Sequence, residues 1–447
     1  MIGVLANGTY RRLFLAQVLA LTGTGLATVA LALLAYELAG ADAGVVLGGA
    51  LAIKMVAYVA VAPIASAFAD RLPRRAFLVA MDLARGAVAM ALPFVDQVWQ
   101  VYVLIFLLQS ASAAFTPTFQ ATIPDILPDE KRYTRALSLS RLAYDLESLA
   151  SPMLAAVLLS VVSFSGLFAG TAVGFLASAA LVLTVRLPAR EVAPRRESTY
   201  PRTTRGVRIY LKTPRLRGLL ALNLAAAAGG AMVIVNSVVV VRVLLGRPEA
   251  DVPLLLAAFG LGSMVTALAL PRLLDRLPDR PVMFAGAGGL VLTLIAVTLA
   301  TAWATTDRWL VLLGLWFLTG LAYSAVLTPS GRLLKRSAAP ADRPALFAAQ
   351  FALSHVCWLA TYLLAGWLGS RGGLPAAAGT MAVLALAGLG AAVRLWPRSD
   401  ADVVEHEHRD LAVDHPHLQD VAPTGARRHA HAFVIDDTHT SWPRHVV

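Results

Sequence analysis

The densest group of possible metal ligands in this sequence lies within residues 398–447. That segment holds eight of the nine histidines, together with nine acidic and five basic residues. Six of the histidines form three His-x-His pairs, which are His406/His408, His415/His417 and His429/His431. In an extended chain, residues i and i+2 lie on one face, so each pair can present two imidazoles to one ion. Neutral imidazole suits nickel, copper, zinc and cobalt, and the pairs therefore predict a divalent metal site.

Other interpretations of this segment stay open. It is too polar and too short to bury a core of its own, so residues 397–447 are predicted to form a disordered, His-rich cytoplasmic tail. Residues 431–442 could still dock on the rest of the protein. A pH-sensitive or merely solubilising tail would have the same composition. The single cysteine, Cys357, leaves no disulfide and no thiolate cluster, so no cofactor is expected other than a divalent metal on the tail.

Ionisable residues also interrupt segments that are otherwise apolar. A charge deep in a bilayer is costly, so such a side chain normally faces a cavity or a partner. Lys54 is predicted to line a central pathway or to bind a carboxylate there, with a purely structural ion pair as the alternative. Asp145 and Glu147 are the carboxylates best placed to gain and lose a proton. Arg141 lies four residues before Asp145 on the same helix face and could neutralise it.

Six further polar residues on apolar helices are candidates for the same pathway. They are Thr24, Gln109, Asn236, Tyr323, Gln350 and His355. Each could equally serve as a packing contact between helices. For His355 the choice is between a proton or ligand contact and a buried imidazole that its surroundings satisfy.

Composition indicates the elements that position these residues. Of the 447 residues, 58% are hydrophobic and 15% are charged, whereas a soluble domain has about 25% charged residues. The mean hydropathy is +0.68, and the apolar runs are long enough to cross a bilayer as helices. They predict an all-α polytopic membrane protein with twelve spans, at residues 13–39, 44–69, 76–95, 98–122, 136–162, 166–187, 217–245, 252–273, 282–302, 308–334, 344–369 and 374–396.

The net charge of +11 is explained by topology rather than by nucleic-acid binding. Basic residues are concentrated in alternate connections between the spans, and most densely between Arg186 and Arg217. The opposite loops, near Gly40, Val95 and Ser163, contain no Lys or Arg. This asymmetry follows the positive-inside rule and predicts that both termini are cytoplasmic.

A short charged phrase divides the chain into two halves. The hinge Asp-Arg-Leu-Pro-x-Arg occurs at residues 70–75 and returns at residues 275–280. Between the copies lies a polar, Arg-rich stretch, residues 188–216, which suits a cytoplasmic linker. The predicted domains are therefore 1–187 and 217–396, each with six spans. Two six-helix halves related by a parallel repeat are found among secondary transporters.

These features resemble the major facilitator superfamily over roughly residues 8–396. The resemblance is carried by the first hinge and the following Met81–Gly86 (MDLARG), and by Phe115–Glu130 (FTPTFQATIPDILPDE). The last motif is similar to the drug-exporter branch that includes macrolide and siderophore exporters. The resemblance implies the major facilitator fold, with two six-helix bundles that give alternating access to a site between them.

The hinge is expected to act as a gate. A carboxylate at a helix boundary can accept bonds from a neighbouring helix N-terminus, and the family resemblance implies the same role. The expected gating residues are Asp70, Arg71, Arg74 and Arg75, and Asp275 and Arg276 are their weaker equivalents in the second half. The alternative is that these residues only fix the topology and the turn.

Several positions depart from the family pattern. Ser66 and Pro73 replace the usual hinge glycines, and Gln109 stands where such exporters carry a buried arginine. Ser151 and Pro152 lie where a Gly-Pro-rich antiporter motif is usual. Standard proton–drug antiport is therefore not implied.

The sequence predicts a bacterial inner-membrane secondary active transporter, not an enzyme, that exports a small drug-like or siderophore-like organic compound. Ion coupling is an option. The first alternative is a nickel or cobalt exporter, because the tail resembles the His-bearing tails of nickel-resistance members. A non-transporting membrane receptor or scaffold is the alternative from another class. The expected partners are the lipid bilayer and the substrate, without nucleic acid, and the protein is expected to be a monomer.

Overall fold

The structure, a computed structural model, describes residues 2–40, 43–69, 72–188, 199–303, 307–408, 416–419 and 428–443. Its first half contains α1 (Gly8–Ala39), α2 (Ala43–Ala69), α3 (Arg74–Ala91), α4 (Val98–Ile126), α5 (Glu130–Leu159) and α6 (Phe164–Leu183). The linker contains α7 (Thr199–Lys212). The second half contains α8 (Pro214–Val239), α9 (Val252–Leu274), α10 (Asp279–Ala302), α11 (Arg308–Leu327), α12 (Ser330–Arg336), α13 (Arg343–Arg371) and α14 (Gly373–Leu395). Strand β1 (Val403–Glu407), the single turn α15 (Pro416–Gln419) and strand β2 (Arg428–Ala432) follow.

Within the described ranges, twelve helices are long and apolar enough to cross a membrane. Helices α1 to α6 provide six of them, and α8 to α14 provide the other six, with α11 and α12 sharing the span Arg308–Arg336. The predicted all-α, twelve-span architecture is confirmed. The fifth span begins at Glu130 rather than at the predicted residue 136, because the Asp129 carboxylate accepts a hydrogen bond from the backbone N–H of Arg132 and caps a polar first turn.

The linker between the halves contains a helix, α7, that packs against α13 and α2. Its Tyr210 is fully buried, and the Tyr210 hydroxyl donates to Gln350 Oε1 at 2.6 Å. Gln350, a pathway candidate, is therefore bound to the linker helix. Pro214 then starts α8, a position where its missing N–H costs nothing.

The described part of the tail is ordered, which corrects the expectation of disorder. Strands β1 and β2 pair antiparallel, with His406 opposite His429. Val404, Phe433 and Ile435 are at most 3% exposed and join the apolar core of the second half. The segment cannot bury a core of its own, and it folds by adding these side chains to a core that the bundle already provides.

The two halves meet mainly through two helix pairs. Helix α2 packs against α13, and α5 packs against α9. The side of the spans that carries the hinges and the tail is called the basic side below.

Candidate functional site

A charged network in the middle of the spans joins the two halves. Arg141 and Asp145 of α5 form an ion pair, as their spacing predicted. Ser263 of α9 completes the network, because Arg141 Nε donates to Ser263 Oγ at 3.0 Å and Ser263 Oγ donates to Asp145 Oδ2 at 2.6 Å. The Arg141 guanidinium also lies 4.8 Å from the centre of the Tyr323 ring of α11. Three helices from both halves therefore share one buried pair of charges.

Two glycines bring α9 and α11 close enough to build this network. A Cβ at Gly262 would lie 1.9 Å from the carbonyl oxygen of Phe317, and a Cβ at Gly320 would lie 1.9 Å from that of Phe259. Only glycine allows such an approach of two helix backbones. The approach places Ser263 and Tyr323 at the same site.

A second group of polar and aromatic residues lies between α2 and α13. The Lys54 ammonium is 5.6 Å from the centre of the Tyr58 ring. The Tyr58 ring in turn contacts the rings of His355 and Phe351, both with centroids at 4.8 Å. His355 Nδ1 lies 2.6 Å from the Phe351 carbonyl oxygen, which can only accept, so Nδ1 donates its N–H there. His355 is thus satisfied on one nitrogen and packed in an aromatic cluster across the interface of the halves.

Glu147 lies near enough to Lys54 for their charges to act on each other, but the two side chains are not within ion-pair distance. A Cβ at Gly25 of α1 would lie 2.8 Å from Glu147 Oε1. Asp145 points elsewhere and is neutralised by Arg141. Of the two carboxylates considered from the sequence, Glu147 is therefore the one without an ion pair within 4.0 Å among the described residues.

The remaining pathway candidates are Asn236, Gln109 and Thr24. Asn236 is 1% exposed, and its Nδ2 has no hydrogen-bond partner in the described part of the chain. Its Oδ1 faces Gly369 of α13. Gln109 is half-buried. The Thr24 hydroxyl donates to the Ala20 carbonyl of its own helix.

The buried charges of α3 form an internal pair. Arg85 binds Asp82, and Ser178 Oγ donates to Asp82 Oδ2 at 2.8 Å. The guanidinium lies against the rings of Phe115 and Phe175. Residues three apart share a helix face, so this ion pair is internal to α3.

Ion pairs tie the two halves together on the basic side. Asp125, at the end of α4, accepts from Arg74 Nη1 at 2.6 Å and from Arg343 Nη1 of α13 at 2.8 Å. Arg332 of α12 pairs with Asp279 at 2.8 Å and with Glu130 of the first half at 2.5 Å.

Two hydrogen bonds reinforce these ion pairs. Lys335 Nζ donates to the Pro128 carbonyl at 2.5 Å, and Tyr133 Oη donates to the Gly331 carbonyl at 3.2 Å. The charges and these bonds, here called the basic-side network, close that side between the halves.

The network uses some of the expected gating residues and not others. Arg74 takes part, whereas Arg75 is exposed. Asp70 and Arg71 lie outside the described residues, so their gating role stays a prediction. Asp275 and Arg276 are exposed and form no ion pair with a described residue. In the second hinge the acid that contributes to the network is Asp279, which turns inward at the start of α10.

Sequence reasoning missed the four ion-pairing participants that lie outside the two hinges. They are Asp125, Glu130, Arg332 and Arg343. The available signal was the Phe115–Glu130 motif, in which Asp125 lies at the end of α4 and Glu130 at the start of α5. Their partners come from positions about 200 residues further along the chain, and no periodicity reports such a pairing.

Six histidines meet in the described part of the tail. Two groups of four have ligand nitrogens within 4.8 Å of one another: His406, His417, His431 and His439, and His406, His408, His417 and His429. Five of these were predicted from the His-x-His pairs. His439 was not, and it arrives because the Asp436 carboxylate accepts from the backbone N–H groups of Thr438 and His439 in a tight turn. His415 lies outside the described residues.

Four rings of the cluster have a lowered pKa. Burial, followed by the neighbouring imidazoles, lowers the pKa of His408 and of His429 to about 4. Burial also lowers the pKa of His406 and of His417. Burial opposes ionisation of Asp436, but hydrogen bonds from the side chain and backbone of His439 outweigh it and lower the pKa of Asp436 to about 2.

Two sets of six membrane-spanning helices around a buried polar site, tied by ion pairs on one side, define a membrane transporter. The family model of the Major Facilitator Superfamily matches residues 13–301 and 228–433. The chain therefore belongs to the Major Facilitator Superfamily.

Individual relatives are more distant. The chain is 27% identical over 152 residues to macrolide efflux protein A of Enterococcus faecalis, covering 32% of this chain and 47% of the relative. It is 26% identical over 167 residues to macrolide efflux protein A of Streptococcus pyogenes, covering 36% of this chain and 41% of the relative. The matches thus span about half the length of these curated relatives.

Solved structures share the fold. A bacterial homologue of the iron transporter ferroportin, in an outward-facing state, superposes with a TM-score of 0.73 at 14% identity, covering 87% of this chain and 99% of the other. The human organic anion transporter MFSD10 (TETRAN) gives a TM-score of 0.64 at 14% identity, covering 86% of this chain and 98% of the other.

Proposed function

We propose that this protein is a bacterial inner-membrane secondary active transporter that exports a small amphipathic organic compound by alternating access. Its basic side, with the termini and the tail, faces the cytoplasm, in keeping with the positive-inside rule. The names of the efflux relatives support export. In the described conformation the basic-side network separates the central residues from the cytoplasm, and the same network must open for loading.

One observation carries the proposal: the Arg141–Asp145 pair of the first half is completed by Ser263 of the second half. A charge pair shared between two bundles must lose or exchange its partner when the bundles rock. The hydrogen bonds of this pair therefore differ between the two states in which opposite sides of the membrane are open.

The central residues suit an organic cargo better than a metal ion. The two cations, Lys54 and Arg141, each have a carboxylate nearby, so the site has no surplus negative charge for a divalent ion. Aromatic rings of Tyr58, Tyr323 and Phe351 lie beside these charges. Among the described residues, the groups of His and acidic side chains that converge on one point lie in the tail. Rings with a few placed polar groups are typical of small-molecule sites.

Ion coupling is assigned to Glu147. It lies mid-span, interacts with Lys54 of α2 and Tyr144 of α5, and packs against Gly25 of α1. Because Asp145 is paired with Arg141, the proton that is released and regained in each cycle belongs to Glu147.

The test is accumulation in a bacterial host that lacks its main efflux systems. Cells carrying the full chain or an empty vector would be compared for retained macrolide, a lipophilic dye, nickel and cobalt. The proposal expects lower macrolide or dye in cells with the full chain, and restored accumulation with Lys54→Met. Asp275→Asn, on an exposed residue outside the network, is the matched control and should export normally. Export of nickel or cobalt alone would replace the organic cargo by a metal. No export of any probe, with the protein confirmed in the membrane, would favour the receptor or scaffold.

A further inference from the structure

We propose that the six clustered histidines of the tail bind one divalent ion of the zinc, nickel, cobalt or copper class, and that this ion fastens the tail to the basic-side network. This inference does not rest on the identity of the cargo. It assigns the tail a regulatory metal centre outside the transport pathway.

The nitrogen positions match the geometry of such an ion. His406 Nε2 lies 3.1 Å from His408 Nε2 and 3.2 Å from His439 Nε2, and His417 Nε2 lies 3.1 Å from His429 Nε2. Four imidazoles at about 2.0–2.1 Å from a tetrahedral ion are separated by about 3.3–3.4 Å. These three pairs are within a few tenths of an ångström of that separation, and all the ligand nitrogens of each group lie within 4.8 Å of one another.

Hydrogen bonds at the Nδ1 atoms of His406 and His439 leave the lone pairs of their two Nε2 atoms facing each other. His406 Nδ1 lies 3.0 Å from the Val404 carbonyl, and His439 Nδ1 lies 2.9 Å from Asp436 Oδ1. Each oxygen can only accept, so both Nδ1 atoms carry the ring proton, and a neutral ring has only one. The two Nε2 atoms that face each other at 3.2 Å are then both acceptors. Their lone pairs repel unless a positive centre lies between them.

A metal ion provides that centre. The carboxylate–histidine contact of Asp436 and His439 is the arrangement that orients and strengthens histidine ligands in metal sites. The buried Nε2 of His431 also has no hydrogen-bond partner in the described part of the chain. An all-imidazole set selects zinc, nickel, cobalt or copper over magnesium and calcium, which prefer oxygen.

The ligand sets allow one ion rather than two. His406 and His417 belong to both groups of four. A neutral imidazole offers a single lone pair, so the two groups cannot be filled at the same time. We therefore expect one ion, held by His406 and His417 together with either His431 and His439 or His408 and His429.

The strands that hold the ion also hold the basic-side network. Asp402, next to β1, pairs with Arg215 at 2.6 Å, and Asp400 pairs with Arg336. Arg336 is the last residue of α12, the helix that carries Arg332 and Lys335 of the network.

A second series of ion pairs joins the other end of the histidine cluster to the basic-side network. Asp437, after β2, pairs with Arg205 at 2.7 Å, and Arg205 binds Asp342 at 2.6 Å. Asp342 directly precedes Arg343, which holds Asp125 in the network. An ion that joins β1, β2 and the His439 turn keeps both connections in place, so metal should favour the closed basic side.

Metal binding is tested on the full chain, purified in detergent with an affinity tag that contains no histidine. Co²⁺ alone is the probe, because tetrahedral Co²⁺ is coloured, and elemental analysis gives the stoichiometry. We expect about one ion per chain. The double variant His406→Ala/His417→Ala should bind none. The doubles His408→Ala/His429→Ala and His431→Ala/His439→Ala should each retain one ion. Asp436→Asn should weaken binding about 10- to 100-fold in the His408→Ala/His429→Ala background, where His439 is one of the four remaining ligands. Failure of the full chain to bind Co²⁺ would overturn the proposal, as would undiminished binding by His406→Ala/His417→Ala.

The connection to the network is tested by hydrogen exchange of the same protein in lipid nanodiscs, with and without Zn²⁺. We expect Zn²⁺ to slow exchange in residues 330–336 and 403–407 of the full chain and not of His406→Ala/His417→Ala. The loop at residues 94–98, between α3 and α4 on the opposite side, is the internal reference. Slower exchange in the tail alone would show that the ion does not act on the network. If Zn²⁺ changed exchange in none of these segments while the protein still exported its substrate, this inference would be contradicted and the proposed transport would stand.

Discussion

Arg74 and Asp279 occupy the same position of the repeated hinge and form equivalent ion pairs of opposite polarity. The hinge copies read Asp-Arg-Leu-Pro-Arg-Arg and Asp-Arg-Leu-Pro-Asp-Arg, and this position is the one that differs. In the first half Arg74 pairs with Asp125 at 2.6 Å, and in the second half Asp279 pairs with Arg332 at 2.8 Å. The repeat is therefore preserved in geometry and inverted in charge.

Each pair accepts a third charge from the opposite half. Asp125 takes Arg343 of α13, and Arg332 takes Glu130 of α5. One set has two cations around an anion, and the other has two anions around a cation. Had both hinges carried the same charge, both sets would have the same excess sign and would repel across the interface.

The substitution Asp125→Asn should open the basic side. It weakens contacts to both halves, at about 1 kcal/mol each for partly exposed pairs, so the ratio of closed to open molecules should fall at least about fivefold. Spin labels at Leu72 and Leu277, exposed and equivalent in the two hinges, would report this as a longer interlabel distance in a Cys357→Ala background. An unchanged distance distribution would show that Asp125 does not hold the halves together.

The two acids of the second hinge should behave differently. Asp279 is 4% exposed and paired, so Asp279→Asn should lower stability by about 1.5–3 kcal/mol and shift the same spin-label distances. Asp275→Asn, four residues earlier and exposed, should stay within about 0.5 kcal/mol of the parent protein. Thermal unfolding in detergent measures the first effect. Equal losses from the two substitutions would refute the assignment of Asp279 in place of Asp275.

Two substitutions in the central network should affect stability and transport to different extents. Asp145→Asn leaves the Arg141 guanidinium inside the spans without its counter-charge, at about 3–5 kcal/mol, and should lower both the unfolding temperature and efflux. Ser263→Ala removes a contact between the halves at about 0.5–1.5 kcal/mol, and should slow efflux with little loss of stability. Efflux rates and unfolding temperatures of both variants decide this. Normal efflux by Ser263→Ala would remove the network from the transport cycle.

Glu147→Gln should abolish the dependence of efflux on a proton gradient. The glutamine keeps the shape of the side chain and its packing against Gly25 but cannot exchange a proton. Counterflow of labelled substrate, which needs no net coupling, should survive in proteoliposomes, while uphill transport driven by a pH step should not. Asp145→Glu, which keeps the paired carboxylate, is the matched comparison. Uphill transport by Glu147→Gln would assign coupling elsewhere.

A chain ending at Pro397 should be less stable than the full chain even without metal. It loses Asp400 and Asp402, which leaves Arg215, 2% exposed, without these carboxylates. It also uncovers the core beneath Phe433 and Ile435, and each such side chain contributes about 1.5–3 kcal/mol. The unfolding temperature in detergent with a chelator should fall, whereas His406→Ala/His417→Ala, which keeps these contacts, should match the full chain. Equal unfolding temperatures for the truncated and full chains would mean that the tail is not part of the folded second half.

The sequence predicts the membrane fold well because the bilayer constrains it strongly. A helix that crosses hydrocarbon needs a long apolar run, and twelve such runs with alternating basic loops leave few other architectures. The Arg141–Asp145 pair was also accessible, since residues four apart share a helix face.

What could not be predicted depends on contacts between distant segments. Ser263 reaches Asp145 across 118 positions, and Arg343 reaches Asp125 across 218. No periodicity or motif in the sequence indicates that Ser263 or Arg343 makes these contacts. The order in the tail was missed for the same reason, because Val404, Phe433 and Ile435 fill a core that belongs to other helices.

The docking of the tail also has a consequence for biosynthesis. Phe433 and Ile435 leave the ribosome only after all twelve spans have been made, yet they complete the core of the second half. Until then Arg215 lacks Asp402, and the apolar surface on the basic side stays uncovered. A chain stalled between Pro397 and Phe433 would be fully inserted and still unfinished. Docking of the tail would therefore distinguish, for membrane proteases, a chain whose spans are inserted from one whose second half is fully packed.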